Sequence, residues 1–362
     1  MDTPLLLAPM AELSHRPLRE LIESFFLSPG AAGQQIGESP KVEYFTEMIS
    51  AGAFVNQGPL EAWYADNGPC PEKLVYQVVG HSADQIAGAV SLLDRNECLG
   101  IDINMGCSAP AITRTGAGVR WMAGIETAAA LIGKVRPRTS RRLSVKLRIG
   151  LTDDLEYLIA FCRALEEEGI DLITLHPRTA KEKFKRRARW SYICALRKEL
   201  HIPLAGNGDI ASAEEIISRA AECDAVMIGR LALREPWIFA QVKSTLGPKP
   251  AGIGGKEAGD FHVNLEEAGL FFLILLSRYQ PQEFHISRAK RYFGYFCDNL
   301  KWANYMKILL NREGSLSGME RVWRSYFAER PEERLRRQGA IYNPSTINPS
   351  RHEKITPNEP LP

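Results

Sequence analysis

Along the first two-thirds of the chain, short apolar runs alternate with amphipathic stretches. The runs cover residues 5–10, 42–48, 74–80, 100–104, 143–148, 172–176, 202–207 and 225–229. Each is brief and rich in Val, Ile or Leu, the pattern of a strand buried on both faces. Between them the apolar spacing lengthens to that of a helix, over 16–26, 83–94, 126–135, 155–168, 190–199 and 213–221. Ser14 and Ser82 stand where the first two of these helices need N-caps.

Eight strand–helix units in about 240 residues have the size of a TIM (β/α)8 barrel. The fold class predicted is therefore α/β, with such a barrel over residues 1–243 and a smaller C-terminal all-α helical domain. Leu246-Gly247-Pro248-Lys249-Pro250 and the glycines that follow read as part of a linker, placed at 244–262. Residues 263–340 carry four helical patterns, at 265–278, 287–298, 302–310 and 317–328. The stretch 341–362, rich in Pro, Asn and charge, reads as a loose tail.

Composition narrows the class. Hydrophobic residues make up 45% of the 362 and charged residues 24%, as in ordinary soluble globular chains. No run approaches the ~20 apolar residues that span a bilayer. The start, Met1-Asp2-Thr3-Pro4 then Leu5-Leu6-Leu7, carries an acidic residue where a signal peptide carries positive charge. A cytoplasmic monomer with no membrane partner is expected. The seven cysteines, at 70, 98, 107, 162, 194, 223 and 297, are odd in number and show no C-x-x-C spacing. Free thiols are expected, and no metal site. The net charge of +2 hides a basic run from Lys181 to Arg189 and a second basic region from Arg288 to Arg337. A polyanion responds to such local fields rather than to the total.

Polar residues gather at the C-terminal ends of the predicted strands, where such a barrel builds its site. They are Met10, Glu47, Gln77, Asn104 with Cys107, Lys146 with Arg148, His176 with Arg178, Asn207 with Asp209, and Gly229 with Arg230. Gly206-Asn207-Gly208-Asp209 and Gly229-Arg230 follow strands seven and eight, the common phosphate position of these barrels. Their glycines admit close approach and Arg230 adds a fork of donors, so a phosphorylated ligand is indicated. Cys107 lies on a strand-end loop beside Gly106, open to a planar ring. Cys98, Cys162, Cys194 and Cys223 read as inert core thiols.

The segment Asp102-Ile103-Asn104-Met105-Gly106-Cys107-Ser108-Ala109-Pro110, followed by Gly116-Ala117-Gly118, resembles the active-site signature of the tRNA-dihydrouridine synthases. In that signature a strand ending in Asn is followed by a Gly-Cys pair and a glycine-containing loop. Ala8-Pro9-Met10, Thr46-Glu47-Met48, Val145-Lys146-Leu147-Arg148, His176-Pro177-Arg178-Thr179, Gly206-Asn207-Gly208-Asp209 and Met227-Ile228-Gly229-Arg230 match in the family's order. The similarity covers the first two-thirds of the chain and, more weakly, the helical part.

The resemblance implies a flavin-dependent oxidoreductase that reduces the C5=C6 bond of specific uridines in tRNA. Bound FMN supplies a hydride from N5 to C6, Cys107 a proton to C5, and NADPH is the transient reductant. An unperturbed thiol, with pKa ~8.5, stays mostly protonated at neutral pH and can serve as that acid. No G-x-G-x-x-G fingerprint is present, and a transient nicotinamide visit needs none. Flavin contacts are implied for Pro9, Met10, Gln77, Lys146, His176, Asn207, Gly208, Asp209, Gly229 and Arg230. Lys146 has a positive charge to stabilise a reduced, anionic ring. Asn104, Arg148 and Arg178 are expected at the substrate, with Lys183, Arg186, Arg288, Lys290 and Arg291 binding RNA from the two basic regions. His285, Tyr292, Lys301, Trp302 and Lys307 add to the second region, where cations and aromatics suit phosphates and unpaired bases. The target base has to swing out of folded RNA, at a cost of a few kcal/mol.

Plainer readings stand beside these. The Asn104 amide suits a uracil edge and equally the holding of its own loop. Gln77 could cap a strand end, Lys146 could sit in an interior salt bridge, and His176 could be a hydrogen-bonded interior side chain. Four residues depart from the family pattern: Glu12 for glycine, Ser108 for proline, Pro177 for glycine, and Arg189 for an acidic residue before Trp190. The first two bear on loop shape beside the cysteine; Arg189 enlarges the basic patch. An FMN-dependent reductase of a small molecule, of the dihydroorotate or ene-reductase type, accounts for the phosphate loops and the cysteine but not for the basic helical region. A non-catalytic RNA-binding barrel is the third reading, kept in play by Glu12 and Ser108.

Overall fold

The computed structural model describes residues 3–27, 41–246 and 262–337. Eight parallel strands close into a barrel in chain order: β1 (Leu5–Leu7), β2 (Val42–Ser50), β3 (Leu74–Val79), β4 (Gly100–Met105), β5 (Arg142–Gly150), β6 (Leu172–Thr179), β7 (Leu204–Asn207) and β8 (Ala225–Ile228). β8 pairs back onto β1, so no edge remains. The six predicted helices appear at Arg16–Leu27, Ala83–Leu93, Ile125–Val135, Leu155–Glu167, Trp190–Leu196 and Ala213–Arg219. Ser82 caps as read, its hydroxyl accepting from the Gln85 N–H. Ser14 does not. Its hydroxyl accepts from the Met10 N–H and donates to the Met10 carbonyl, so it closes the loop after β1 instead.

Strand alternation sorts the barrel into layers. Leu6, Phe45, Val75, Leu172, Ala205 and Ala225 form one apolar cluster, while their neighbours along the strands join the larger core against the helices. Two residues further along the same inward faces, side chains turn polar yet stay buried: Gln77, Asp102, Ser144 and Thr174. Another step brings Asn104, Lys146 and His176 to the mouth, where Asn207, one step beyond Ala205 on the shorter β7, joins them. A hydrophobic base, a polar middle and a functional rim therefore follow from one period-two pattern.

Beyond the barrel lie helices Leu265–Tyr279, Gln282–Phe296, Ala303–Arg312 and Leu316–Glu329. A short antiparallel pair, β9 (His262–Asn264) and β10 (Leu335–Arg337), joins the two ends of this region. Helix Leu265–Tyr279 packs on Arg16–Leu27, and Gln282–Phe296 packs on the short Arg230–Arg234 helix. An aromatic cluster of Phe272, Tyr292, Phe293, Phe296, Trp323 and Phe327 fills the space between these helices. Tyr292, expected on an RNA-binding face, is buried there and stacks on Phe272 with ring centroids 3.7 Å apart. Of the expected linker, residues 247–261 lie outside the described residues, as does the whole expected tail. No helix among the described residues is long and apolar enough to cross a membrane.

Candidate active site

A cavity of about 630 Å³ opens at the C-terminal end of the barrel. Of the residues read as flavin contacts, Pro9, Met10, Lys146, His176, Asn207, Gly208, Asp209, Gly229 and Arg230 line it. Cys107 lines it too, with Asn104, Arg148, Arg178, Lys183 and Arg291 of the substrate set. Gln77, Arg186, Arg288 and Lys290 do not.

The mount of Cys107 runs down into the barrel as a chain of hydrogen bonds. The backbone N–H groups of Cys107 and Gly106 donate to Asn104 Oδ1, at 2.9 and 3.2 Å. Asn104 Nδ2 donates to Gln77 Oε1 at 2.9 Å, and Gln77 Nε2 donates to Asp102 Oδ2 at 2.7 Å. Ser144 Oγ donates to the other Asp102 oxygen at 2.7 Å. Burial pushes the Asp102 carboxyl up to about 6, against the pull of the Gln77 and Ser144 hydrogen bonds. The loop then closes on itself, with Val119 N–H donating to the Cys107 carbonyl at 3.0 Å. Gly118 permits this closure: its φ is +62°, and a Cβ there would lie 2.5 Å from the Cys107 carbonyl oxygen.

This chain of bonds corrects one expectation and decides another. Gln77 is fully buried and spends its amide on Asp102 and Asn104, so it sits beneath the cavity and cannot touch a ring there. Asn104 lines the cavity, but its amide holds the cysteine loop, which is the plainer of its two readings.

Beside the loop, β5 and β6 bring up a wall of cations. Lys146 Nζ donates to Asn207 Oδ1 at 3.1 Å. Burial, then the Arg148 charge, lowers its pKa to about 8, with Asp102 and Cys107 opposing. No carboxylate among the described residues holds it in a salt bridge. Arg148 Nε donates to the Gly106 carbonyl at 2.9 Å, and Nη1 to the Thr179 and Lys183 carbonyls. It thereby ties the cysteine loop to the basic loop. Arg178 is almost wholly buried and paired with Asp209 at 2.6 Å. Its Nη1 lies 2.7 Å from His176 Nε2. A guanidinium only donates, so Nε2 accepts and the neutral ring carries its proton on Nδ1. Burial, and then Lys146, Arg148, Arg178 and Arg230, hold the His176 pKa far below its usual value.

Two aromatic lining residues were not singled out from sequence. Phe184, 63% exposed, stands at the mouth between the guanidinium carbons of Arg230 and Arg148, 5.4 and 5.7 Å from its ring centroid. Its one sequence signal is an aromatic inside a basic run. Tyr295 comes from the Gln282–Phe296 helix, one turn past Arg291, so this helix walls part of the cavity.

Arg288 needs the clearest correction. It was read as an RNA contact but is 2% exposed. Its Nη1 pairs with Glu47 Oε2 at 3.1 Å, and its guanidinium carbon lies 4.6 Å from the Phe284 ring centroid. A buried, paired arginine cannot reach a phosphate. Among the described residues, no group of His, Cys, Asp or Glu could hold a metal ion.

A family model described as dihydrouridine synthase (Dus) matches residues 6–263, the whole barrel. The chain belongs to the dihydrouridine synthase family. It is 31% identical over 290 residues to a protein of Aquifex aeolicus named "Probable tRNA-dihydrouridine synthase", covering 77% of this chain and 81% of that one. Proteins with the same printed name from Helicobacter pylori and Rhodobacter capsulatus are each 28% identical, covering 68% and 82% of this chain and 72% and 87% of their own.

The departures from the dihydrouridine synthase pattern now have structural content. Glu12, where glycine is usual, holds a left-handed φ of +62°, a conformation that favours glycine. Its N–H donates to Glu47 and its carboxylate pairs with Arg291 at 2.7 Å, reaching from the barrel loop to the helix above. Arg189 does not enlarge the basic patch, because it pairs with both Asp153 and Glu182. Nothing in the structure accounts for Pro177.

Proposed function

We propose that this protein reduces the C5=C6 bond of uridines in tRNA, using FMN held in the barrel mouth and NADPH as reductant, with Cys107 as the proton donor. The observation that carries this reading is the mounting of the Cys107 loop at the rim of a 630 Å³ cavity that Lys146, Arg148 and His176 also line.

The residues fit the flavin. The volume is that of a cofactor-sized site. At Gly229 an added Cβ meets nothing nearer than 3.8 Å, so its backbone faces open cavity, and Arg230 stands beside it half exposed. Asn207, Gly208, Gly229 and Arg230 suit the phosphate; Pro9, Met10, Lys146 and His176 suit the ring. When bound, the flavin supplies the hydride that uracil needs at C6.

The chain's own residues do the rest. Cys107 Sγ gives its proton to C5, on a loop whose N–H groups Asn104 fixes in advance. Lys146, in its protonated form, places positive charge where negative charge accumulates on ring or substrate. His176 offers Nδ1–H as a fixed donor. Arg148 holds the cysteine loop and the basic loop at one spacing, so the slot between them keeps its width. The exposed run from Lys181 to Arg187 supplies the field for a polyanion. That run favours RNA over a small-molecule substrate.

Cys107→Ala tests the assignment. Flavin absorbance and NADPH oxidation should persist, while dihydrouridine formation falls by roughly 10²-fold or more. Mass-spectrometric mapping of tRNA treated with each protein reads the result. Unchanged dihydrouridine in the variant removes Cys107 from the mechanism.

A further inference from the structure

We infer that the chain carries a second anion site: a groove behind the Cys107 loop that takes a backbone phosphate of tRNA next to the nucleotide being reduced. The inference rests on the function proposed above. The groove encloses about 360 Å³. Its charged lining is Arg114, Arg120 and Lys181, all exposed, with the hydroxyl residues Ser108 and Thr113 and no carboxylate.

Three cations without an acid need a counter-charge. No ion pair holds any of them among the described residues. The acids that flank Lys181 and Leu151 in sequence are engaged elsewhere. Glu182 accepts from the Thr179 N–H and pairs with Arg189; Asp153 pairs with Arg189; Asp154 accepts from the Tyr157 N–H. Arg114 and Arg120 come from the cysteine loop and Lys181 from the loop after β6, so two loops converge on one groove. Exposed cations that share a concave surface bind an anion better than the same charges scattered, since their fields add there. Arginine forks match phosphate oxygens.

Ser108 sets the place of the groove in the reaction, because it lines both the groove and the active-site cavity. The loop from Cys107 to Val119 is the partition between them. A strand that leaves one base in the cavity has to carry its backbone over this partition. At that point the family pattern has proline; this chain offers a serine hydroxyl instead. On the far side the phosphate meets Arg120 and Lys181, and Lys181 begins the basic run that leads outward to Arg187. A continuous track of this kind fits a polymer backbone rather than the single phosphate cluster of a dinucleotide.

The test compares the FMN-loaded full-length protein with Arg114→Gln/Arg120→Gln/Lys181→Gln and with the single reversal Arg120→Glu. Binding of tRNA is measured against salt, dihydrouridine formation against tRNA concentration, and NADPH oxidation against NADPH. In the triple variant the affinity for tRNA should fall roughly tenfold and the slope of log K against log salt should lose about one, for the one phosphate no longer held. KM for tRNA should rise with kcat unchanged, and KM for NADPH should not move. Arg120→Glu should weaken tRNA binding in the same direction. Unaltered tRNA binding in both variants overturns the site. So does a raised KM for NADPH with tRNA binding intact, which assigns the groove to the dinucleotide. If the unmodified protein makes no dihydrouridine in tRNA, the proposed function itself has failed, a result distinct from failure of the groove.

Discussion

Lys146 shows how one residue's surroundings set its chemistry. Its amine lies deep in the barrel mouth beside Arg148, and burial and that neighbour bring its pKa down to about 8. Below that pH it is charged and above it neutral. An anionic ligand beside it raises the value, so the holoenzyme should lose activity as pH climbs through 8 or somewhat above. Lys146→Met should lower the rate most below pH 8, where the lysine is charged, and Lys146→Arg should keep the charge and most of the rate. A pH–rate profile of the three proteins decides it, and a wild-type profile flat to pH 10 refutes the role. In the ligand-free protein the sign for stability runs the opposite way. The unfolded lysine binds its proton up to about 10.5, so the unfolded state holds more protons between 8 and that value, and stability rises with pH across this window.

At the scale of elements, the Gln282–Phe296 helix is fastened to the barrel by two arginines one turn apart. Arg291 reaches Glu12 at the surface, a pair with both partners about half exposed and worth ~0–1 kcal/mol. Arg288 reaches Glu47 in the interior, where both are nearly fully buried. Removing one member of a buried pair strands the other, at roughly 3–5 kcal/mol. Arg288→Met should therefore destabilise by about that much, measured by urea unfolding. Glu47→Gln/Arg288→Met should recover much of the loss, because a neutral amide can still accept from the Glu12 N–H. Equal instability of the single and double variants argues against this account. This helix also marks how far the sequence could be read. The eight strands were legible because each is a short apolar run with a polar C-terminal end. The places of Cys107, of the loops after strands seven and eight and of the cationic wall at the cavity followed from that register. Arg288 was misplaced because a basic residue on an amphipathic helix looks solvent-facing until its acid is known, and Glu47 lies far away in the chain. Gln77 was misplaced for a related reason: its strand position was right, but whether it meets a ligand or Asp102 depends on one layer of the barrel, which periodicity does not count.

For the whole molecule, a net charge of +2 conceals an uneven surface. Many of the barrel's cations are paired, as Arg142 is with Glu43 and Arg189 with Asp153 and Glu182. Lys183, Lys185, Arg186 and Arg187 are exposed, and no ion pair holds them among the described residues. The loop that carries them is pinned through its backbone, since Arg148 donates to the Lys183 carbonyl and Arg178 to the Arg186 carbonyl. Shape and charge are thus separable here. Replacing all four side chains with Ala removes the charge but leaves both carbonyl anchors, so thermal unfolding should hardly change. Affinity for tRNA should fall, and the slope of log K against log salt should flatten by about three, at ~0.7–0.9 for each phosphate no longer neutralised. The flattening is the decisive reading. A variant that binds tRNA more weakly with an unchanged slope has been altered in shape rather than in its hold on phosphates, and the run is then scaffold for Phe184 and the slot beneath it, not the surface that RNA meets.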